Sequence, residues 1–396
     1  MKLTAVLQKT GKAEGTYMLK AKGCIAAVLY WADEEGALAE WSSFAYIPLA
    51  PGGQGTFCFQ GNRALPPEAT HILARAVRPD FCTWEEALFS LPFGYAGNRE
   101  DNRKRRKLTI MSDLHLAKDP GRIRRALKRG EDSDALLLAG DLVNDGLPEQ
   151  YRLLQRCLEE LPADLPVLAV NGNHDLPLKP VPRTGQETDY GDFLQWLNQR
   201  ADLQRLGWRQ DDSGAYSVNL GPVEIIGLNA VTHYRRFTAL KGRQLRFLEK
   251  RLEETKNTRV WRLILCHAPL LTHNPQRKPG DEPYLSRDGE LEKILEGQKQ
   301  ILFISGHTHL SPNISEGCVE YEEKSRRLYL NDGSVCPTGM KAEKRTGWAE
   351  SLIPGDWVDG VYWELLLPEG GEGRLELCAR SVHTGLRYPR GYYCCE

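Results

Sequence analysis

The stretch ALLLAGDLVND (135–145) holds the two signals that decide the fold of this 396-residue chain. Its first half is apolar without a break, and then Gly140 and Asp141 stop the run. A short segment apolar on both faces and ended by Gly-Asp reads as a buried strand of a parallel sheet opening into a loop. The same grammar recurs four times. LTIM precedes SDLH (112–115), PVLAV precedes NGNHD (171–175), LILC leads into His267 within LCHAP (265–269), and ILFI precedes SGHTH (305–309). Each run delivers an Asp, Asn or His at a strand end, where a sheet fixes the start of the loop and lets oxygen and nitrogen donors converge on a cation. Asp113 and His115 are two residues apart, as are His307 and His309, so in a locally extended backbone each pair points to one side. Taken singly, Asp-X-His, Gly-Asp or Gly-Asn-His spells a turn. All five in one chain, each at an expected strand end, spell a metal cage.

Outward from these strands, helical patterns fall at 122–129, 148–161 (with Leu153, Leu154 and Leu158 on one face), 242–254 and 288–295. Strands alternating with helices predict an α/β domain from Leu108 onward. Runs at 328–332, 361–367 and 374–382 read as antiparallel strands closing a second sheet. The first 97 residues look different, with short alternating runs at 16–22, 24–31, 41–49, 56–60 and 72–77 separated by Gly, Pro and acidic turns. That is an all-β pattern, and LPPEATHILARAV (65–77) is similar to late strands of fibronectin type III or immunoglobulin-like sandwiches. NREDNRKRRK (98–107) reads as a charged linker, because acids precede its basic half and no aromatic residue interleaves it. The expected division is 1–97, 98–107 and 108–396.

Composition excludes more than it selects. With 52 basic and 53 acidic residues the net charge is -1, so no global field draws the chain to a long polyanion or an anionic membrane, and a nuclease would need an extended basic track. No stretch approaches the apolar length of a membrane span, and the N-terminus carries no signal-peptide pattern, which predicts a soluble, cytoplasmic protein. Ten scattered cysteines without a CxxC pair predict free thiols, and adjacent Cys394 and Cys395 read as an ordinary pair.

The five segments, in order and chemistry, resemble the calcineurin-like metallophosphoesterase superfamily, over roughly residues 108 to 393. The resemblance implies a four-layer α/β/β/α sandwich and a metal-dependent phosphoric ester hydrolase with two divalent or trivalent ions, Mn, Fe, Zn or Mg. It implies that Asp113, His115, Asp141 and His309 hold one ion, that Asp141, Asn173, His267 and His307 hold the other, and that Asp141 bridges them. Two such ions, about 3.5 to 4 Å apart, would clamp phosphoryl oxygens and supply the hydroxide that attacks phosphorus. His174, beside Asn173, would sit opposite that nucleophile and protonate or stabilise the leaving oxygen. Asp175 would orient His174 or cap the next segment.

One departure sets the branch. Protein Ser/Thr phosphatases of this superfamily carry arginines after the GD motif and before GNH, where this chain has Asn144, Asp145 and Asn171. GDLVNDGLPEQY is similar instead to the cyclic-nucleotide phosphodiesterase-like branch, which implies a small phosphodiester, nucleotide or phosphomonoester as substrate and partner. A metal-binding scaffold without turnover is the competing reading, and the retained His174 speaks against it. Residues 176–214 and 271–287 are expected at the rim, where Arg277 and Lys278 read as solvated loop charges or phosphate ligands. His233, His273 and His383 fit no segment and read as surface or internally satisfied histidines.

Overall fold

The computed structural model describes residues 1–7, 13, 15–38, 43–59, 65–91, 105–176, 189–230, 238, 240, 242–256, 258–270, 273, 288–309, 312, 318–336, 360–370 and 374–395. The first 91 residues supply eight strands, β1 (Lys2–Leu7), β2 (Gly15–Lys20), β3 (Ala26–Asp33), β4 (Gly36–Ala37), β5 (Ser43–Pro48), β6 (Gln54–Phe59), β7 (His71–Val77) and β8 (Trp84–Ser90). They form a three-stranded sheet, β1-β2-β6, and a five-stranded sheet in which β3 pairs with β4, β5 and β7, and β7 with β8. One core serves both sheets: Tyr17, Leu19 and Phe59 meet Leu29, Trp31, Phe44 and Ile72. Strands β1 and β8 escape the pattern reading; β8 leaves Trp84 and Leu88 exposed, so alternation there is no guide to burial.

The remaining elements are β9 (Arg105–Met111), α1 (Gly121–Arg129), β10 (Ala135–Ala139), α2 (Pro148–Glu159), β11 (Val167–Val170), α3 (Asp189–Arg200), a 3-10 turn (Leu203–Leu206), β12 (Arg209–Gln210), β13 (Tyr216–Asn219), β14 (Val223–Gly227), α4 (Gly242–Glu254), β15 (Trp261–Leu265), α5 (Asp288–Leu295), β16 (Ile301–Ser305), β17 (Val319–Glu322), β18 (Arg327–Asn331), β19 (Val361–Pro368), β20 (Leu375–Ser381) and β21 (Arg387–Cys395). The strands make two mixed sheets, β11-β10-β9-β19-β20-β21 and β12-β13-β14-β15-β16-β18-β17.

Alternate residues of each strand go to different cores, which is why the runs are apolar throughout. Leu108, Ile110, Leu137 and Trp363 of the first sheet meet Ile225, Leu263, Ile304 and Leu330 of the second. Met111, Leu136 and Leu138 turn the other way onto Ile123 and Leu127 of α1, Leu154 and Leu158 of α2, and Phe193 of α3. Ile226, Ile264 and Phe303 face Leu245, Leu248 and Leu252 of α4 and Leu291 and Leu295 of α5.

The structure corrects the reading of the late strands. Residues 327–331 pair in parallel with β16 and extend the second sheet, whereas β19 runs antiparallel to β9 and carries β20 and β21 into the first. Pattern alone gives strand identity, but pairing across more than 200 residues decides the sheet. Strand β9 also begins three residues inside the stretch read as linker, because Arg105, Arg106 and Lys107 pair with Pro368, Leu367 and Leu366 and find carboxylates in Glu376, Asp134 and Asp132. Residues 98–104 of that stretch lie outside the described residues. Helix α3 was not anticipated within 176–214.

The N-terminal sheets lean on β21, the edge of the first large sheet. Trp31 Nε1 donates to the Pro389 carbonyl (3.0 Å), Arg390 Nε donates to the Phe44 carbonyl (2.7 Å), and Arg387 pairs with Glu68. Covering an edge strand in this way satisfies its outward groups and removes a template for aggregation.

Candidate metal centre

Strands β9, β10 and β11 of one sheet and β15 and β16 of the other end at a common rim, so the five polar segments approach one another from two sheets rather than from one. Among the described residues, nine non-glycine positions have positive φ, and five are Asp113 (51°), His115 (46°), Asp141 (51°), His307 (68°) and His309 (52°). Left-handed backbone is costly for these residue types and persists where the surroundings enforce it, a concentration typical of sites held for function.

Glycines allow the loops to close. A Cβ at Gly172 would lie 2.2 Å from Asp141 Oδ1, and one at Gly306 would lie 2.5 Å from Ser112 Oγ and 2.7 Å from Asp113 Oδ2. Any side chain at either position would push a carboxylate out of the cage.

The side chains form two groups, Asp113–His115–His309 and Asp141–His267–His307, joined by a third, His115–Asp141–His174, that shares a residue with each. His309 Nε2 is 2.9 Å from Asp113 Oδ1 and 3.2 Å from His115 Nε2. His267 Nε2 is 3.2 Å from Asp141 Oδ2, and His307 Nδ1 is 3.0 Å from Asn173 Oδ1. Donors sharing an ion at bond lengths of about 2.1 Å stand roughly 3.0 to 3.4 Å from one another, so the spacing suits a cation between them. The set is imidazole, carboxylate and amide without thiolate, which fits Mn, Fe, Zn or Mg better than a soft ion.

Electrostatics agree. Burial pulls the His267 imidazole down, but the charges of Asp141 and Asp113 overcome it and push it up to about 10. Burial likewise raises the Asp113 carboxyl, yet His309 and His267 hold it well below the usual range. The cage attracts positive charge, and protons compete there with metal.

Supports fix the orientation of individual donors. His267 Nδ1 donates to the Ala139 carbonyl (2.8 Å), which turns Nε2 toward Asp141. Asp141 Oδ1 accepts the His174 amide (2.7 Å), leaving Oδ2 to face His267 and, at 3.8 Å, His115. His174 Nδ1 donates to the Asn144 carbonyl (2.7 Å), and its ring stands edge-on to His115 with centroids 4.5 Å apart.

Asp175 takes its backbone partners from the two ligand-bearing loops. Its buried carboxyl accepts the amides of Leu142 and Val143 (3.1 Å each) and Gly172 (2.8 Å), with Tyr151 Oη at 3.2 Å, so it ties the Gly-Asp loop to the Gly-Asn-His loop. Burial and the charge of Asp141 raise it to about 7. Asn171 donates its Nδ2–H to the Ala230 carbonyl (2.9 Å) and accepts the Ala230 amide at Oδ1 (2.8 Å). Ser112, Asn331 and Asp332 also support the cage and carried no signal in the sequence, where polar residues at a strand end read as turn formers.

Comparison with known chains places the protein in a family. The model of the family described as calcineurin-like phosphoesterase matches residues 106–311. The chain belongs to the calcineurin-like phosphoesterase family. A Synechococcus protein named "Probable cyclic nucleotide phosphodiesterase" is 30% identical over 268 residues, 64% of this chain and 90% of that one. An Arcobacter nitrofigilis protein named "Probable glycerophosphodiester phosphodiesterase" is 24% identical over 178 residues, 44% of this chain and 56% of its own length. A dimetal phosphatase from Danio rerio superposes with a TM-score of 0.47 at 13% identity, covering 73% of this chain and 98% of its own. As a calcineurin-like phosphoesterase, the chain is a metal-dependent phosphoric ester hydrolase, and the two relatives named here are both called phosphodiesterases.

The other histidines divide. His233, Arg277 and Lys278 lie outside the described residues. His383 sits in the β20–β21 turn against Arg125. His273 is neither exposed nor ordinary: Nδ1 is 3.0 Å from Glu320, Nε2 is 3.0 Å from Glu292, and its ring stacks on Tyr329. Two carboxylates on two ring nitrogens require an imidazolium. Burial lowers His273, but the two glutamates push it up to about 9, against about 6.5 in an unfolded chain. The raised folded value means that the stabilisation is complete below about pH 6.5 and is lost as pH climbs through about 9. His273→Gln should therefore cost about 1 to 2 kcal/mol near pH 6 and little above pH 10, read by urea unfolding at both pH values. A deficit that does not depend on pH would remove the ion-pair explanation.

No helix among the described residues is long and apolar enough to cross a membrane.

Proposed function

We propose that the chain is a dinuclear-metal phosphoesterase acting on a small phosphodiester, nucleotide or phosphomonoester. Asp113, His115, Asp141 and His309 would hold one ion, and Asp141, Asn173, His267 and His307 the other. The observation that carries this reading is the meeting of two donor groups at Asp141 Oδ2, the oxygen left over once Oδ1 has accepted the His174 amide. Asp141 is thus the residue that would serve both ions. When bound, the ions supply Lewis acidity toward phosphoryl oxygens and an activated water.

The chain's own residues do the rest. The Asn144 carbonyl holds His174 by Nδ1, so Nε2 is the ring atom that would exchange a proton with a leaving alkoxide. Glycines 172 and 306 keep the two loops close enough for Asp113 and Asp141 to remain inside. The donor set is nearly closed to solvent at Asp113, Asp141, Asn173 and His267, which strengthens every charge interaction made there.

A diester or nucleotide is favoured over phosphoproteins. Asn171 is committed to Ala230, the Asn144 amide is committed to Asp145, and the Asp145 carboxylate is exposed nearby, so these positions offer no cationic clamp to a monoester dianion. The names of both curated relatives point the same way. With matched aryl mono- and diesters and a phosphoserine peptide, the diester should lead in kcat/KM; a phosphopeptide ahead by tenfold or more would overturn the preference.

The same proposal divides the chain into an immunoglobulin-like unit over 1–97, a junction over 98–107 and an α/β/β/α stack over 108–396. Supporting it are the one core under β1–β8 and the three successive cores of the larger part. No described residue of the first unit joins a donor group.

A further inference from the structure

Strand β14 ends at Gly227, and Leu228 still gives its amide to the Leu265 carbonyl of β15 (2.9 Å). The next two residues, Asn229 and Ala230, are buried and meet side-chain amides in place of a strand. Gln244 of α4 accepts the Asn229 amide at Oε1 (2.8 Å) and donates Nε2–H to the Asn229 carbonyl (2.6 Å). Asn171, at the end of β11, serves Ala230 in the same two-way fashion. The Asn229 side chain then reaches back to β11. Its Oδ1 accepts the Asn171 amide (3.0 Å) and the Tyr190 hydroxyl of α3 (2.9 Å), and its Nδ2 donates to the Gly214 carbonyl (2.8 Å).

The partners fix how each amide is turned. A peptide N–H only donates and a carbonyl only accepts, so the Asn171 amide demands Asn229 Oδ1 and the Gly214 carbonyl demands Nδ2. The same rule orients Gln244, whose Nε2 also donates to the Ser213 carbonyl (3.2 Å). The network joins two sheets that share no rung at this point. Strand β11 is an edge strand paired with β10, and β14 lies between β13 and β15 of the second sheet. All of its groups are neutral and paired, so it binds the sheets without burying a charge.

We infer that Asn229, held in place by Gln244, is a positioning residue for His174. By gripping the Asn171 amide it sets the direction in which the chain leaves β11, three residues before the His174 ring. The inference rests on the reading of His174 as the group that meets the leaving oxygen. The other holds on His174, from the Asn144 carbonyl and from Asp141 Oδ1, come from the loop after β10, which belongs to the same sheet as β11. Asn229 refers the ring to the second sheet, whose strands β15 and β16 deliver His267 and His307. A reacting group misplaced by about 1 Å can cost two decades in rate, so an anchor of this kind acts on kcat.

The test uses the full chain with Asn229→Asp and Asn229→Ala. The aspartate keeps an oxygen for the Asn171 amide and the Tyr190 hydroxyl, and the alanine keeps none. In metal-free protein, the His174 ring signals in a proton–carbon NMR spectrum, assigned with His174→Ala, should shift in Asn229→Ala and stay near wild type in Asn229→Asp. The rings of His273 and His383 should not move in either. Unmoved His174 signals in Asn229→Ala, or equal shifts at all three histidines, would overturn the inference whatever the activity. With aryl phosphate esters, kcat of Asn229→Ala should fall by about 10- to 100-fold where the leaving group needs a proton and by about twofold or less where it does not. A smaller folded fraction would lower every ester alike, and that result would overturn the positioning role. Asn229→Asp should restore the wild-type dependence on leaving group. If Asn229→Ala fails to fold, Gln244→Met, which removes the clamp on Asn229 and keeps its side chain, should give the same selective shift and the same leaving-group dependence, and their absence would overturn the inference. Parallel leaving-group lines for His174→Ala would count against the acid role of His174 instead, and the ring signals would still decide Asn229.

Discussion

Asp141→Asn is expected to lose both ions rather than one. Asp141 Oδ2 stands between a histidine of each donor group, 3.2 Å from His267 and 3.8 Å from His115, and an amide there brings no charge and can turn nitrogen where oxygen is needed. Metal content should fall from about two per chain toward none. Because bound ions contribute several kcal/mol to charge stabilisation in phosphoryl transfer, turnover of an activated aryl phosphate ester should fall by about three decades or more. Elemental analysis after metal loading, with the same ester assay, checks both effects. One ion retained at wild-type affinity would show that the carboxylate serves a single site.

His174→Ala should do the opposite to the metals and nearly as much harm to the rate. The side chain hangs from the Asn144 carbonyl, and the contact its residue makes with Asp141 runs through the backbone amide, which alanine keeps. The ions should stay, while the rate should drop by about 10² to 10⁴, the range of general acid–base help. The loss should shrink as the leaving group becomes more acidic and needs no proton. A plot of log kcat against leaving-group pKa, steeper in the variant than in wild type, is the expected outcome; parallel lines would assign His174 to orientation or phosphate binding.

How much of this was legible in the sequence varies with range. The five segments could be read because the constraints on them are local: a buried strand needs an apolar run, a loop that turns at once needs glycine, and a ligand must follow directly. His115 and His309 illustrate the limit even there, since alternation places each beside its partner but does not announce the left-handed backbone that both adopt. Sheet membership was not legible. Strand β18 and strand β19 have the same apolar signature, yet one extends the second sheet and the other crosses to β9.

The supporting residues were harder still. Asp175, Asp332 and Asn171 are spelled like turn residues, and what separates them from turn residues is burial against partners distant in sequence, such as Val143, Ser112 and Ala230. The reading of His273 as a surface or internally satisfied histidine could not name its partners, because Glu292 and Glu320, which make it a cation, lie 19 and 47 residues further on.

The antiparallel pairing of β9 with β19 has a consequence for the order in which the protein can be made. Trp363, Glu364 and Leu365 lie opposite Ile110, Thr109 and Leu108, so the strand that launches Asp113 gains its neighbour on that side only after some 250 further residues have been synthesised. Trp31 and Phe44, from the first strands to emerge, wait longer, for Pro389 and Arg390. Such distant closures fold slowly, and the unfinished edge of β9 is open to wrong pairing meanwhile. During translation the earliest part of the cage to appear is thus among the last to be secured, and a nascent chain halted before residue 360 would have all seven proposed ligands but no β19 to hold the first two in place.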